Sequence, residues 1–213
     1  MKNKELLIDE YVLQNSTPEN SILSELNRET NLKAIYPRML SGPLLGRFLE
    51  FISYMIKPKY ILEIGTYTGY SAICLAKGLA DDGKLISIEK NDELSLISKK
   101  YIQKTGLSDK IQLLTGNAIE IIPKLDMHFD LVFIDADKNE YTEYYKFCIE
   151  KVNSGGFIIA DNVLWDGKVL NKTKNNDKET QGIIAFNEYV LRDKCVENLI
   201  VPLRDGVSVI RKI

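Results

Sequence analysis

Histidine is nearly missing from this chain: His128 stands alone in 213 residues. Cysteine is scarce and scattered, with Cys74, Cys148 and Cys195 far apart and no Cys-x-x-Cys. Zinc centres draw on Cys and His at short spacing, so a zinc site is not expected. The odd, dispersed thiols fit a reducing, cytoplasmic setting, and the apolar surroundings of Cys74 and Cys148 predict buried thiols. Nothing approaches about 18 consecutive apolar residues, so no membrane span is expected. No long apolar run follows Met-Lys-Asn-Lys-Glu, so a signal peptide is not expected either. Charge of one sign is lacking too. The 28 Lys and Arg against 30 Asp and Glu leave a net charge of −2, which argues against one large polyanion-binding surface but leaves a local basic patch open. Repeats and low-complexity tracts are absent, and so is the dinucleotide fingerprint Gly-x-Gly-x-x-Gly.

What is present is ordinary in bulk and specific in detail. Apolar content of 45% and charged content of 27% suit a globular chain. The length favours one domain, with about 70% of the unfolded surface buried. The organising stretch is Tyr60 to Ser71. An apolar run, Ile61, Leu62 and Ile64, carries one acid, Glu63. Gly65 and Gly69 follow, then a helix-compatible run from Ser71 to Ala80. The pattern predicts a strand buried on both faces, a tight turn and a helix, whose crevice is where nucleotide-like ligands sit in open α/β sheets. Gly65 lets backbone approach a ligand, and the helix start offers unpaired N–H groups. Tyr67 occupies the third position of the dinucleotide fingerprint, where its second glycine would stand, which argues against a nicotinamide enzyme. Glu63, a buried carboxylate, needs a partner, and a cationic ligand would be one.

Residues 1–57 read as a helical segment ahead of any strand. Leu6, Leu7, Val12 and Leu13 give a first amphipathic pattern. Thr17-Pro18-Glu19 reads as a cap for a helix through Thr30. Asn31 to Met39 reads as a linker or lid, because Tyr36-Pro37 disfavours helix. Ser41-Gly42-Pro43 opens a helix with Leu44, Leu45, Phe48, Leu49, Ile52, Met55 and Ile56 on one stripe, ended by Pro58. From residue 58 to 213 strands alternate with helices. Strands are expected at 84–89, 111–114, 129–134 and 157–160, and helices at 92–105 (capped by Asp92), 117–125 and 139–152, with Ser154-Gly155-Gly156 as a turn. This spacing means βαβ units and a parallel sheet. Val201–Leu203 and Val207–Ile210 flank Arg204-Asp205-Gly206 as a hairpin, so the last strand should run antiparallel. Asp166 to Gln181, with Lys168, Lys172, Lys174 and Lys178, reads as a mobile loop over the site.

Several residues can carry chemistry. Glu89 closes the second strand, where an acid can accept from two ribose hydroxyls. Asn117-Ala118 would sit beside a base ring. Asp135 and Asp161 both follow apolar strands and would emerge at one edge, with Asn162 next to Asp161. Two carboxylates and an amide oxygen make a hard site suited to Mg²⁺, Mn²⁺ or Ca²⁺. Lys138 lies one turn beyond Asp135 and could take a proton from a phenol-like hydroxyl if a metal's charge depressed its pKa.

Glu63-Ile64-Gly65-Thr66-Tyr67-Thr68-Gly69-Tyr70-Ser71, Asp135-Ala136-Asp137-Lys138 and Asp161-Asn162-Val163-Leu164-Trp165 together resemble the metal-dependent O-methyltransferases of the caffeoyl-CoA and catechol type. The resemblance runs from about Pro37 to the C-terminus. It implies a Rossmann-like doubly wound α/β sheet of seven strands, parallel except for the last, and a homodimer. It implies contacts to S-adenosyl-L-methionine (SAM) at Met39, Glu63, Gly65, Ser71, Glu89, Ala118 and Asp135, and a divalent cation, Mg²⁺ or Mn²⁺/Ca²⁺, on Asp135, Asp161 and Asn162. Lys138 and Asp135 would be catalytic, and Arg38 and Trp165 would wall the acceptor. Arg204 departs from the Gly-Asp-Gly that bacterial relatives often show. The expected reaction is methylation of a small vicinal dihydroxy aromatic. The alternative acceptor is a tRNA hydroxylated at a wobble uridine, reached through Lys33, Arg38, Arg47, Lys57, Lys59 and the 168–178 lysines. A non-catalytic cofactor-binding protein is disfavoured by the intact Asp135, Lys138, Asp161 and Asn162 set.

Overall fold

Apolar runs that end at glycine or at an acid become the strands of one sheet. In the computed structural model, which describes residues 4–171 and 176–213, these are β1 (Tyr60–Ile64), β2 (Lys84–Glu89), β3 (Ile111–Thr115), β4 (Phe129–Ile134), β5 (Val152–Ala160), β6 (Val196–Val201) and β7 (Val207–Lys212). Their order across the sheet is β3-β2-β1-β4-β5-β7-β6. The first five pair in parallel, and β7 runs antiparallel to both β5 and β6. This is the doubly wound α/β architecture expected, including its antiparallel last strand. The predicted turn at 154–156 lies inside β5. Val152 pairs with Phe129 and Phe157 with Leu131, so the residues between bulge, with Gly155 at φ 80°.

The helices are α1 (Lys4–Gln14), α2 (Ser21–Lys33), α3 (Gly42–Ile56), α4 (Tyr70–Ala76), α5 (Ser95–Lys104), α6 (Ala118–Ile121), α7 (Tyr141–Lys151) and α8 (Lys178–Arg192). Alternate residues of each strand point to opposite faces, which splits the core in two. Leu62, Ile64, Val132 and Ile158 meet Tyr141, Tyr145 and Phe186 from α7 and α8. Ile61, Leu85, Leu131 and Phe133 meet Leu26, Leu45, Ile73 and Tyr101 from α2, α3, α4 and α5. Cys74 and Cys148 are buried free thiols, as expected. Among the described residues no helix is long and apolar enough to cross a membrane.

The structure corrects several boundaries. Asn20, not Thr17-Pro18-Glu19, caps α2, its side chain accepting from the Leu23 N–H at 2.9 Å. Asp92 does not cap α5. The Asn91 side chain accepts from the Glu93 N–H, and this turn delays the helix to Ser95. α4 ends at Ala76, short of Ala80, where Gly78 packs so tightly on α3 that a Cβ would lie 2.3 Å from the Ser53 carbonyl carbon. Met55 lies off the buried stripe of α3, exposed like Phe51 and Tyr54. The 31–39 segment is helical to Lys33 and forms a 3-10 turn at Pro37–Met39. Parts of the predicted 166–181 loop are helical. Lys168–Leu170 is a 3-10 turn and α8 starts at Lys178, capped by Asp177, while Lys172 and Lys174 lie outside the described residues.

Strand register positions the site. Ile88, Ile64, Ile134 and Ala160 lie side by side across β2, β1, β4 and β5. The next residues, Glu89, Gly65, Asp135 and Asp161, therefore leave the sheet at one level. The ladder continues past the strands, with the Gly65 N–H on Ile88 O at 2.9 Å, Asp135 N–H on Ile64 O at 2.9 Å and Asp161 N–H on Ile134 O at 3.0 Å. Since β7 is antiparallel, its first residues return to the same edge and bring Arg204-Asp205-Gly206 with them.

Candidate functional site

A cavity of about 900 Å³ opens at this edge. Gly65, Ser71, Glu89 and Ala118 line one end. Asp135, Lys138, Asp161, Asn162 and Trp165 line the other, and Arg38 and Met39 form the outer wall. Glu63 alone among the expected residues does not line it. It is fully buried beneath the floor, with Oε2 accepting from the Ser87 hydroxyl and Oε1 left without a partner. Burial pushes its carboxyl up to about 8, against the hydroxyls of Ser71 and Ser87.

Gly65 has a firmer reason than ligand approach. Its φ is 98°, and a Cβ there would lie 2.0 Å from the Asp135 carbonyl oxygen. The missing side chain lets the ends of β1 and β4 pack together. Tyr67 also sits at positive φ, and its N–H donates to Glu89 Oε2 at 2.7 Å while the Asn91 N–H donates to Oε1 at 2.9 Å. Two backbone donors thus pin Glu89 at the cavity edge. The Tyr67 hydroxyl donates to the Tyr36 carbonyl at 2.9 Å and anchors the outer wall. Asn117 caps α6 through the Ile119 N–H, placing Ala118 at the cavity.

The opposite end is assembled from side chains. Lys138 is buried, with Nζ 2.9 Å from Asp135 Oδ1 and 2.6 Å from the Tyr141 hydroxyl. Burial works against its ammonium, but Asp135 and Tyr141 outweigh it and raise the pKa well above lysine's ordinary value. With Asp135 unneutralised, Lys138 is an ion-paired cation, and the depression expected from a metal's charge belongs to the loaded site. Asp161 is almost fully buried, and Oδ1 has no hydrogen-bond partner among the described residues. Burial and the nearby Asp135 carboxylate raise its pKa, with Arg204 opposing. Asn162 follows in left-handed backbone at φ 59°, a conformation asparagine tolerates. Among the described residues no three His, Cys, Asp or Glu gather as a metal cluster. The donors here are two acids and an amide, an all-oxygen set, and the orphaned Asp161 Oδ1 needs a cation or donor. Those observations fit a hard divalent ion.

Some participants escape the sequence reading. Tyr141 connects Lys138 to the strand ends. Gly182 of α8 lies so close to the Lys138 carbonyl that a Cβ would come within 2.4 Å. Arg204 donates to the Ser41 and Leu40 carbonyls, fastening the hairpin to the outer wall. Trp165 stands between two lysines, its ring 5.8 Å from Lys138 Nζ and 5.4 Å from Lys168 Nζ. Three of the basic residues suggested for RNA are paired with acids. Lys33 pairs with Glu29 at 2.7 Å, Arg47 with Glu50 at 3.1 Å and Lys59 with Asp82 at 2.9 Å.

The chain is similar to known proteins in sequence and in fold. A family model described as O-methyltransferase matches residues 13–213. The chain is 36% identical over 171 residues to a catechol O-methyltransferase of Niastella koreensis, covering 78% of this chain and 77% of that one. It is 34% identical over an alignment of 218 residues to a caffeoyl-CoA O-methyltransferase of Eucalyptus gunnii, covering 96% and 86%. Among solved structures, an O-methyltransferase from Streptomyces achromogenes in complex with SAM matches at a TM-score of 0.91 and 26% identity, covering 100% of this chain and 99% of that one.

Proposed function

This chain belongs to the O-methyltransferase family, a SAM-dependent O-methyltransferase of the catechol and caffeoyl-CoA type, and on that premise we propose that it methylates one hydroxyl of a small vicinal dihydroxy aromatic with the help of a divalent cation. The observation that carries this reading is the meeting of Asp135, Lys138 and the unpartnered Asp161 Oδ1 at one cavity end.

In this reading Glu89 accepts from the ribose hydroxyls of SAM, Ala118 lies beside its base, and Gly65 and Ser71 flank its amino-acid end. Met39 covers it from the outer wall, and Glu63 is a buried carboxyl beneath it. Asp135, Asp161 and Asn162 would hold Mg²⁺, or Mn²⁺ or Ca²⁺ in its place, and the ion would supply Lewis-acid polarisation of the acceptor oxygens and a charge that offsets Asp135 beside Lys138. The need is quantitative. A phenol with pKa about 10 is ionised about one part in a thousand at neutral pH, a cost of about 4 kcal/mol. Lys138, its own extra proton released to solvent once the Asp135 charge is offset, takes the phenol proton on Nζ. The acceptor oxygen then bonds to the methyl carbon as the S–CH₃ bond breaks, leaving S-adenosylhomocysteine. Arg38 and Trp165 wall the ring, and positioning supplies the rest of the rate.

Residues 1–57 form the lid and dimer segment, and 58–213 the cofactor and metal core. Exposed Phe51, Tyr54 and Met55 give α3 an apolar face for the second copy of a homodimer.

The test uses labelled SAM with caffeic acid and with bacterial tRNA, in Mg²⁺ or in chelator, beside Asp161→Ala. Label should enter caffeic acid only with Mg²⁺ and intact Asp161, falling at least about a hundredfold in the variant. Transfer to tRNA alone, or transfer indifferent to chelator, overturns the reading.

A further inference from the structure

Tyr141 has no part in the scheme above, yet its hydroxyl lies where the acceptor end is joined. The side chain is fully buried, and its ring meets Phe186 of α8 edge-on, with centroids 5.4 Å apart. The hydroxyl lies 2.6 Å from Lys138 Nζ, 3.0 Å from the Asp161 carbonyl and 3.4 Å from the Ile134 carbonyl. A phenol has one proton to give, and the nearer Asp161 carbonyl takes it. Its oxygen is then an acceptor for Lys138. Those two carbonyls close β5 and β4, beside the two acids.

We propose that Tyr141 is a positioning residue for methyl transfer, its hydroxyl holding the Lys138 amine against Asp135 while donating to the Asp161 carbonyl at the end of β5. This rests on the acceptor-end reading above. Lys138 has a long, rotatable stem, and amine donors turn freely. With Tyr141 O and Asp135 Oδ1 both fixed, Nζ keeps one place in either protonation state, since a neutral amine still donates two N–H bonds. Its remaining direction is left for the acceptor. The packing with α8 holds the arrangement from behind, where Gly182 fits against the Lys138 carbonyl. Phenylalanine would preserve that packing and remove only the oxygen.

The decisive variant is therefore Tyr141→Phe, alone and in a Lys138→Met background. If the hydroxyl acts through Lys138, kcat falls about ten- to a hundredfold with the KM for SAM unchanged, and the second substitution adds almost nothing once Lys138 is gone. The loss shrinks for an electron-poor catechol already ionised at the assay pH, which needs no base. A second readout needs neither acceptor nor cofactor. In the ligand-free protein an amine-reactive reagent, read by peptide mass spectrometry, should label Lys138 several-fold faster in Tyr141→Phe, with surface lysines unchanged. Unchanged Lys138 labelling, or a kcat loss that persists in full in the Lys138→Met background, overturns the proposal. A wild-type enzyme inactive on catechols would instead defeat the acceptor reading and leave the labelling result to decide this one.

Discussion

The two ends of the cavity are built in opposite ways. The Glu89 end is made of main chain: tight turns after β1, β2 and β3, with Glu89 pinned by the Tyr67 and Asn91 amides. The Asp135–Asp161 end is made of side chains from β4, β5, α7 and the β6–β7 hairpin. It keeps charges in close contact and leaves a carboxylate oxygen unpaired. The first end is rigid because its donors are backbone amides, which do not rotate as side chains do. The second is held by side chains, and its charge state depends on what neutralises Asp135. An end of the first kind suits recognition of a ligand. An end of the second kind suits a change of charge during reaction.

Substitutions can break this division. The largest effect is expected for Gly65→Ala, because Gly65 touches both ends. A Cβ would strike the Asp135 carbonyl at a φ that alanine rarely adopts. Destabilisation of about 2–4 kcal/mol is expected, with SAM binding and transfer lost together, as read by thermal melts and calorimetry. Glu89→Ala should separate the ends. SAM or S-adenosylhomocysteine affinity falls about ten- to a hundredfold by calorimetry, while the Mg²⁺ dependence of transfer stays as in wild type. The smallest effect concerns Glu63. Its folded carboxyl is raised to about 8 from 4.5, so the ligand-free fold keeps a proton that the unfolded chain has released. Stability should therefore fall as pH rises from about 4.5 to about 8, and Glu63→Gln should flatten that fall in melts across the range.

The same contrast governs how much was legible in the sequence. β1, β2 and β4 match their expected bounds because each is an apolar run stopped by a glycine or an acid. Once the strand ends are known, register alone brings Glu89, Gly65, Asp135 and Asp161 to one edge. Helix starts were harder. Asp92 and Thr17-Pro18 carry good capping chemistry, but the Asn91 turn and Asn20 compete more effectively at those places. The reason for Gly65 was hidden too, since the atom it avoids belongs to a residue seventy positions on. The charge of Lys138 depends on burial and on two partners that no spacing rule ranks. Tyr141 and Gly182 look like ordinary helix residues until α7 and α8 are packed together.

The outer wall, Tyr36 to Ser41, is gripped by Tyr67 and Arg204, and both hold it by carbonyl oxygens rather than by side chains. A grip of that kind is blind to sequence. Arg38 and Met39 can be exchanged for residues of other sizes and charges with the wall still fastened in place. Attachment is thus separated from side-chain choice, so that in the proposed reading drift at Arg38 retunes which acceptor fits, and drift at Met39 how the cofactor is covered, while the wall stays fastened.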